Sequence, residues 1–252
     1  MSGMFAGKHV WLVGASEGIG RAVAEELAAQ GARLTLSARQ ADRLQSLVTE
    51  LRGDGHTAVA CDVTNDASVR TAWAAVKANG VPDIVIYNAG AYEPMAATAL
   101  NLPVAQKMLD VNFTGALRVL AAAVPDILVR GSGHIVLVAS VAGYRGLPGA
   151  VGYGASKAAL IHLAENLRCD LPRDKIKVQV VNPGFVATRL TAKNDFKMPG
   201  IIPVDVAARA FVRGMASNAF EIRFPWLFTA VMKALTLLPA RIYFPAVSRQ
   251  RR

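Results

Sequence analysis

Cysteine is nearly absent from this chain of 252 residues, where Cys61 and Cys169 are the only two. Two thiols without metal-like spacing argue against a disulfide framework, and the four histidines show no ligand clustering, so no metal site is expected. A reduced, cytoplasmic setting is the simplest reading. Acidic residues are also scarce, 18 against 28 lysines and arginines, for a formal net charge of +10. That balance admits nucleic acid, anionic membrane or phosphorylated ligands as partners. The cations are mostly dispersed, and the one dense cluster, Arg249-Gln250-Arg251-Arg252, reads most simply as a solvated tail. Nucleic acid is therefore not an expected partner. No uncharged apolar run reaches the roughly 20 residues a membrane span needs. Met1 to Gly7 has no basic region followed by a long apolar stretch, so no signal peptide is expected. Linkers rich in Pro, Gly or Ser, internal repeats and low-complexity tracts are missing, which favours a single domain over residues 1–252.

What the chain has is apolar material, 53% of its residues, in a regular alternation. Strands are expected at Val10–Val13, Leu34–Ser37, Thr57–Cys61, Ile84–Tyr87, His134–Ala139, Lys177–Asn182 and Phe220–Phe224. Helical patterns lie between them near Ile19–Gln30, Asp42–Arg52, Asp66–Ala78, Pro103–Arg130, Gly152–Leu171 and Val204–Ser217. Strands apolar on both faces and alternating with helices imply a sheet covered on both sides. The expected fold is α/β: one doubly wound Rossmann-type domain with a mostly parallel seven-stranded sheet and helices on both faces.

Directly after the first strand comes Gly14-Ala15-Ser16-Glu17-Gly18-Ile19-Gly20. Glycines there allow a tight turn and a close approach of backbone amides to a pyrophosphate, and the following helix points its positive end at the phosphates. The second strand ends in Ala38-Arg39 rather than in the Asp or Glu that would hold ribose hydroxyls. An arginine suits a 2′-phosphate, so NADP is favoured over NAD. Arg39 also reads as a solvated charge, and Glu17 counts against a nearby phosphate. Asp62, followed by Val63 at the end of the third strand, suits a helix cap or an acceptor for the adenine amine.

Tyr153 and Lys157 stand four residues apart, one helical turn, so phenol and ammonium share a face. A neighbouring cation favours the phenolate and lowers the phenol pKa toward the working range. The pair reads as a general acid/base with its tuning charge beside it.

Asn88-Ala89-Gly90 ends the fourth strand, Asn112 lies in the long helix after it, Ser140 ends the fifth strand, and Asn182-Pro183-Gly184-Phe185-Val186-Ala187-Thr188 ends the sixth. In this order and spacing, with the glycine loop and Tyr153-x-x-x-Lys157, the chain resembles the short-chain dehydrogenase/reductase family from Gly7 to about Phe224. One departure is Val13, where the family usually has threonine before the first glycine. The resemblance implies that Tyr153 is the general acid in ketone reduction and the base in alcohol oxidation. Lys157 would lower its pKa and bind the nicotinamide ribose, and Ser140 would donate to the substrate oxygen. The Asn112 side chain would hold a water of a proton relay. Asn88, Ala89 and Gly90 would support the cofactor edge, and Pro183, Gly184 and Val186 the nicotinamide side. Thr188 would contact the carboxamide or pyrophosphate.

By the same resemblance, residues 185–202 form a mobile lid over the substrate. Tyr92, Val141, Ala142, Tyr144, Leu147, Gly184, Phe185 and Met198 are the expected pocket residues. Being mostly apolar, they suggest a hydrophobic, possibly lipid-like, ketone or alcohol, while Arg145 and Arg189 keep an acidic or thioester-linked substrate open. A 3-oxoacyl-thioester reductase is the alternative enzyme, and a catalytically silent dinucleotide sensor or scaffold the alternative of another class. The family resemblance implies a homodimer or homotetramer.

The extension 225–252 is apolar and basic. On a helix its Thr229, Lys233 and Thr236 form a narrow polar stripe. It suits burial against the domain or a partner subunit. It also admits peripheral membrane contact, with Trp226, Arg241, Tyr243 and the terminal arginines near the headgroups.

Overall fold

The computed structural model describes residues 3–173 and 175–248. The expected strands form one sheet of seven, all parallel, in the order β3-β2-β1-β4-β5-β6-β7. They are β1 (His9–Val13), β2 (Arg33–Ala38), β3 (Thr57–Ala60), β4 (Ile84–Tyr87), β5 (Gly133–Val138), β6 (Ile176–Pro183) and β7 (Glu221–Phe224). The helices are α1 (Gly18–Ala29), α2 (Ala41–Glu50), α3 (Asp66–Lys77), α4 (Leu102–Leu109), α5 (Gly115–Arg130), α6 (Val151–Asp170), α7 (Val204–Ala216), α8 (Trp226–Leu235) and α9 (Ala240–Ser248).

Successive strand residues point to opposite faces, and each face is sealed by its own helices. Leu12, Leu34, Leu36 and Ile86 pack with Leu27 of α1, Leu44 of α2 and Phe211 of α7. Trp11, Val85, Tyr87 and Leu137 pack with Trp73 of α3, Val119 of α5 and Leu160 of α6. Both faces are covered, so the strands read as continuous apolar runs. Strand order reverses direction between β1 and β4. A crevice opens at such a switch point, at the carboxyl ends of the strands.

The long helix expected over Pro103–Arg130 is interrupted by a π-helical turn at Asp110–Thr114. Inside it, Asn112 is fully buried and binds the Ala91 backbone on both sides. The Tyr87 hydroxyl donates to the Val111 carbonyl at 2.5 Å. These tertiary bonds compete with the regular helical ladder, which periodicity cannot show. By length and composition alone, residues 102–130 could cross a bilayer. Here one side of that helix seats on the sheet and α6 through Met108, Ala116, Val119, Leu120 and Ala123.

Past β7 the extension is two helices rather than one. The substrate-side loop fastens them down: the Arg145 guanidinium donates to the carbonyls of Thr236 and Leu238 and lies 4.1 Å from the Tyr243 ring centre. The Tyr243 hydroxyl donates to the Gly146 carbonyl at 2.9 Å. Tyr243 is thus buried, not at a headgroup level, and Thr229 is buried rather than part of an exposed polar stripe. Arg249, Arg251 and Arg252 lie outside the described residues.

Candidate active site

A cleft of about 420 Å³ runs along the carboxyl ends of β1, β2, β4, β5 and β6. Gly14, Ser16, Glu17, Gly18 and Ile19 form one wall, with Arg39, Asp62 and Val63 at one end. Asn88, Ala89, Gly90, Ser140, Tyr153, Lys157, Pro183, Gly184, Val186 and Thr188 line the rest. Gly14 sits at φ +91°, and a Cβ there would strike the Ala89 backbone amide. Gly20 does not line the cleft. Its bare Cα lets α1 pack onto the Gly14 carbonyl, which also accepts from Asn88 Nδ2 at 2.7 Å.

The first turn of α1 has no side-chain cap and no acidic residue. Its orphan amides open onto the cleft at Gly18 and Ile19. An uncapped helix N-terminus with backbone donors fits a dinucleotide pyrophosphate. At the end of β2, Arg39 is joined by Gln40, the cap of α2, and by Arg43 from that helix, which sequence reasoning did not single out. Glu17 is held by two arginines: Arg189 at 2.6 Å and Arg43 at 3.4 Å. Its charge is thereby offset. Asp62 accepts from the backbone and hydroxyl of Thr64, and these bonds hold its carboxyl below the usual range. The cap of α3 is Asn65 instead.

Ser140 follows β5 and caps a short 3₁₀ turn, accepting from the Ala142 amide at 3.2 Å. Tyr153 and Lys157 rise from the start of α6. Burial pushes the Tyr153 phenol up to about 12, with a hydrogen bond to Ser140 pulling the other way. Burial pushes the Lys157 ammonium down to about 7. Burial rather than the neighbouring ammonium therefore sets the direction of the Tyr153 shift. Lys157 donates to the Val138 carbonyl at 2.8 Å, and its nitrogen lies 5.7 Å from the Tyr153 ring centre.

Asn112 does not line the cleft. Its Oδ1 accepts from the Ala91 amide at 2.6 Å, and its Nδ2 donates to the Ala91 carbonyl and to Ser156 Oγ. Ser156 in turn donates to the Tyr153 carbonyl at 2.7 Å. The side chain expected to hold a water is committed to bracing the first turn of α6.

A second cavity of about 140 Å³ adjoins the cleft and shares Ser140, Tyr153 and Gly184 with it. Tyr92, Val141, Ala142, Leu147 and Phe185 line it as expected, along with Phe196, Phe228 and Met232. Phe185 stacks with both Phe196 and Phe228, at 5.8 and 5.4 Å between ring centres. Tyr144 and Met198 are not in this lining. The Tyr144 hydroxyl donates to Glu221, and the Met198 sulfur accepts from Asn194. Among the described residues no arginine or lysine lines the cavity. Arg145 is turned to the C-terminal helices and Arg189 to Glu17. The segment after β6 is pinned at its base, where Ala187 donates to Ile202 and Ile202 to Phe185. It is tied across the cavity by Lys193 to Glu93 at 2.6 Å and by Tyr92 to Asn194 at 2.5 Å. Among the described residues no cluster of His, Cys, Asp or Glu could hold a metal.

Comparison with known proteins agrees with this arrangement. Residues 8–198 match the family model described as short chain dehydrogenase. An uncharacterized oxidoreductase of Myxococcus xanthus (strain DK1622) is 36% identical over 243 residues, covering 95% of this chain and 96% of the relative. A solved short chain dehydrogenase from Burkholderia cenocepacia J2315, in complex with NADP, superposes with TM-score 0.81 at 25% identity over 94% of this chain and 95% of that one. A short chain dehydrogenase/reductase from Burkholderia phymatum, in complex with NAD, gives TM-score 0.83 at 25% identity over 91% and 92%.

Proposed function

The chain belongs to the short-chain dehydrogenase/reductase family, and on that premise we propose an NADP(H)-preferring oxidoreductase that interconverts a hydrophobic ketone or aldehyde and its alcohol. The observation that carries this reading is the meeting of the two cavities at Ser140 and Tyr153. One cavity suits a dinucleotide and the other an uncharged apolar substrate.

When bound, the nicotinamide supplies or accepts the hydride. The chain does the rest. The amides of the α1 first turn receive the pyrophosphate. Arg39 and Arg43 receive a 2′-phosphate, which supports NADP over NAD. Tyr153, with its pKa raised by burial, keeps its proton at neutral pH and delivers it to the carbonyl oxygen in reduction. Ser140 donates to the same oxygen as negative charge develops. Lys157 gives the phenolate a positive neighbour when it carries a proton, and Asn112 acts through Ser156 to hold both side chains in place. The segment 185–202 serves as the lid.

The absence of a cation in the second cavity supports a neutral substrate over a carboxylate. Free Cys61 and Cys169 support a reducing, cytoplasmic setting. Exposed Leu102, Leu109, Leu117 and Leu128 on α4 and α5 support self-association as a dimer or tetramer.

The test is NADPH oxidation against ketones, aldehydes and 3-oxoacyl thioesters of graded chain length. Free ketones should turn over. Activity confined to thioesters replaces the reading with a thioester reductase. Tyr153→Phe should lose about 10²- to 10⁴-fold in turnover and keep NADPH binding. Near-wild-type turnover in that variant overturns the mechanism. A wild type that binds NADPH but reduces nothing is a sensor.

A further inference from the structure

The outer face of the C-terminal helices is the largest feature that this chemistry leaves unused. On α8, Phe228 and Met232 point inward and line the substrate cavity. The same helix exposes Trp226 (73%), Leu227 (62%) and Val231 (50%) to solvent, and Leu237 at 85% follows in the turn. On α9, Ile242 and Phe244 are about half exposed beside the buried Tyr243 and Val247. The plate is not a loose tail: Arg145, Tyr243 and the buried Thr229 hold its inner side. Lys233 also joins Glu221 at 2.7 Å. Two docked helices thus carry a continuous stretch of sequence whose outward side chains are large and apolar.

Charge identifies the occupant. After Glu221 the chain contains Arg223, Lys233, Arg241, Arg249, Arg251 and Arg252, and not one Asp or Glu. Glu221 is already taken by Lys233, so a symmetric contact with a second copy would set Arg223 and Arg241 against their own copies with no free carboxylate in this stretch to pair. Apolar side chains between cations, with a tryptophan at the edge, match a bilayer surface bearing anionic headgroups.

We propose that the α8–α9 plate docks on an anionic lipid bilayer, so that the helix walling the substrate cavity is also the one resting on the membrane. This rests on the reading above only for the substrate: a lipid-soluble carbonyl would reach the cavity along α8. Docking itself needs no turnover, so the two ideas fail separately.

Trp226 provides a built-in reporter. Trp11 and Trp73 are buried and stack on one another at 5.3 Å, which leaves Trp226 as the exposed indole. The experiment uses vesicles of phosphatidylcholine with and without phosphatidylglycerol, read by flotation and by Trp226 emission. The expected result is flotation and a blue shift with the anionic vesicles, both reduced by high salt. Leu227→Ser/Val231→Ser should lower the partition coefficient by about ten-fold or more while leaving turnover of a water-soluble short ketone unchanged. A wild type that neither floats nor shifts at low salt overturns the proposal. So does a double variant that floats as wild type does. If instead the double variant turns an oligomer into a smaller species in sedimentation, and vesicles are not bound, the plate is a subunit contact and the membrane is excluded.

Discussion

Glu17 and Arg189 meet at 2.6 Å across the mouth of the nucleotide cleft, although 172 residues separate them in sequence. Arg43 approaches the same carboxylate at 3.4 Å, so Glu17 would compete for that arginine with the 2′-phosphate of the proposed cofactor. Exposed pairs of this kind contribute at most about 1 kcal/mol. Glu17→Gln should therefore tighten NADPH binding by about two- to five-fold at low salt and leave NADH binding unchanged. Arg43→Ala should weaken NADPH selectively by about ten-fold. Fluorescence titration of both nucleotides checks this, and equal effects on NADPH and NADH would refute the 2′-phosphate role.

In the proposed mechanism Tyr153 must lose its proton for alcohol oxidation, and burial holds the phenol up to about 12. The phenolate fraction below its pKa grows tenfold per pH unit, so kcat/KM for oxidation should rise with that slope through the alkaline range. Reduction needs the protonated phenol and should be flat there until the same group titrates. A phenolate beside Lys157 favours the protonated ammonium in turn, so the two titrate as a pair, and Lys157→Met should move the apparent phenol pKa higher still. An unchanged pH profile in that variant would show that Lys157 does not tune the phenol.

Asn112 satisfies the Ala91 amide and carbonyl and the Ser156 hydroxyl from one buried side chain. Asn112→Ala takes these partners from the Ala91 amide and carbonyl, leaves Ser156 only its bond to the Tyr153 carbonyl, and should cost about 2–4 kcal/mol of stability in urea unfolding. Ser156→Ala removes one link and should cost about 1 kcal/mol. It should also lower kcat more than it changes NADPH affinity, because Ser156 binds the backbone of Tyr153. A kcat equal to wild type would confine Ser156 to a structural role.

His134 is bound to Gln179 at 2.8 Å, and burial pushes its imidazole down to about 3 from 6.5. The unfolded chain protonates this group first as pH falls. Its contribution is therefore fully present above about pH 6.5 and drains away between there and about 3, with a slope up to about 1.4 kcal/mol per pH unit. His134→Gln should flatten the fall of Tm over that window. The same slope in variant and wild type would assign acid sensitivity to other groups.

Local sequence displayed the sheet, the glycine loop and the Tyr153–Lys157 face, because each depends on residues close in sequence. Arg43, Phe196, Phe228 and Met232 were hidden, since they reach the cavities only through tertiary packing. Tyr144 and Met198 had the right chemistry for a pocket, yet Glu221 and Asn194 engage them elsewhere. Asn112 stood out by position, but its partners come from the loop after β4 and from α6, so the task of its side chain was not legible. The extension showed its apolar character and not its fold, because Arg145, Gly146 and Tyr243 come together only in the folded chain.

The strand β7 also divides the molecule as a unit of inheritance. Every described residue lining the larger cleft lies before it, and Phe228 and Met232 of the second cavity lie after it. A genetic crossover within β7 would exchange part of the substrate wall and the outward plate together. The larger cleft, with Ser140 and Tyr153, would pass through unaltered, so the proposed specificity and the proposed membrane contact would change together in one recombination event.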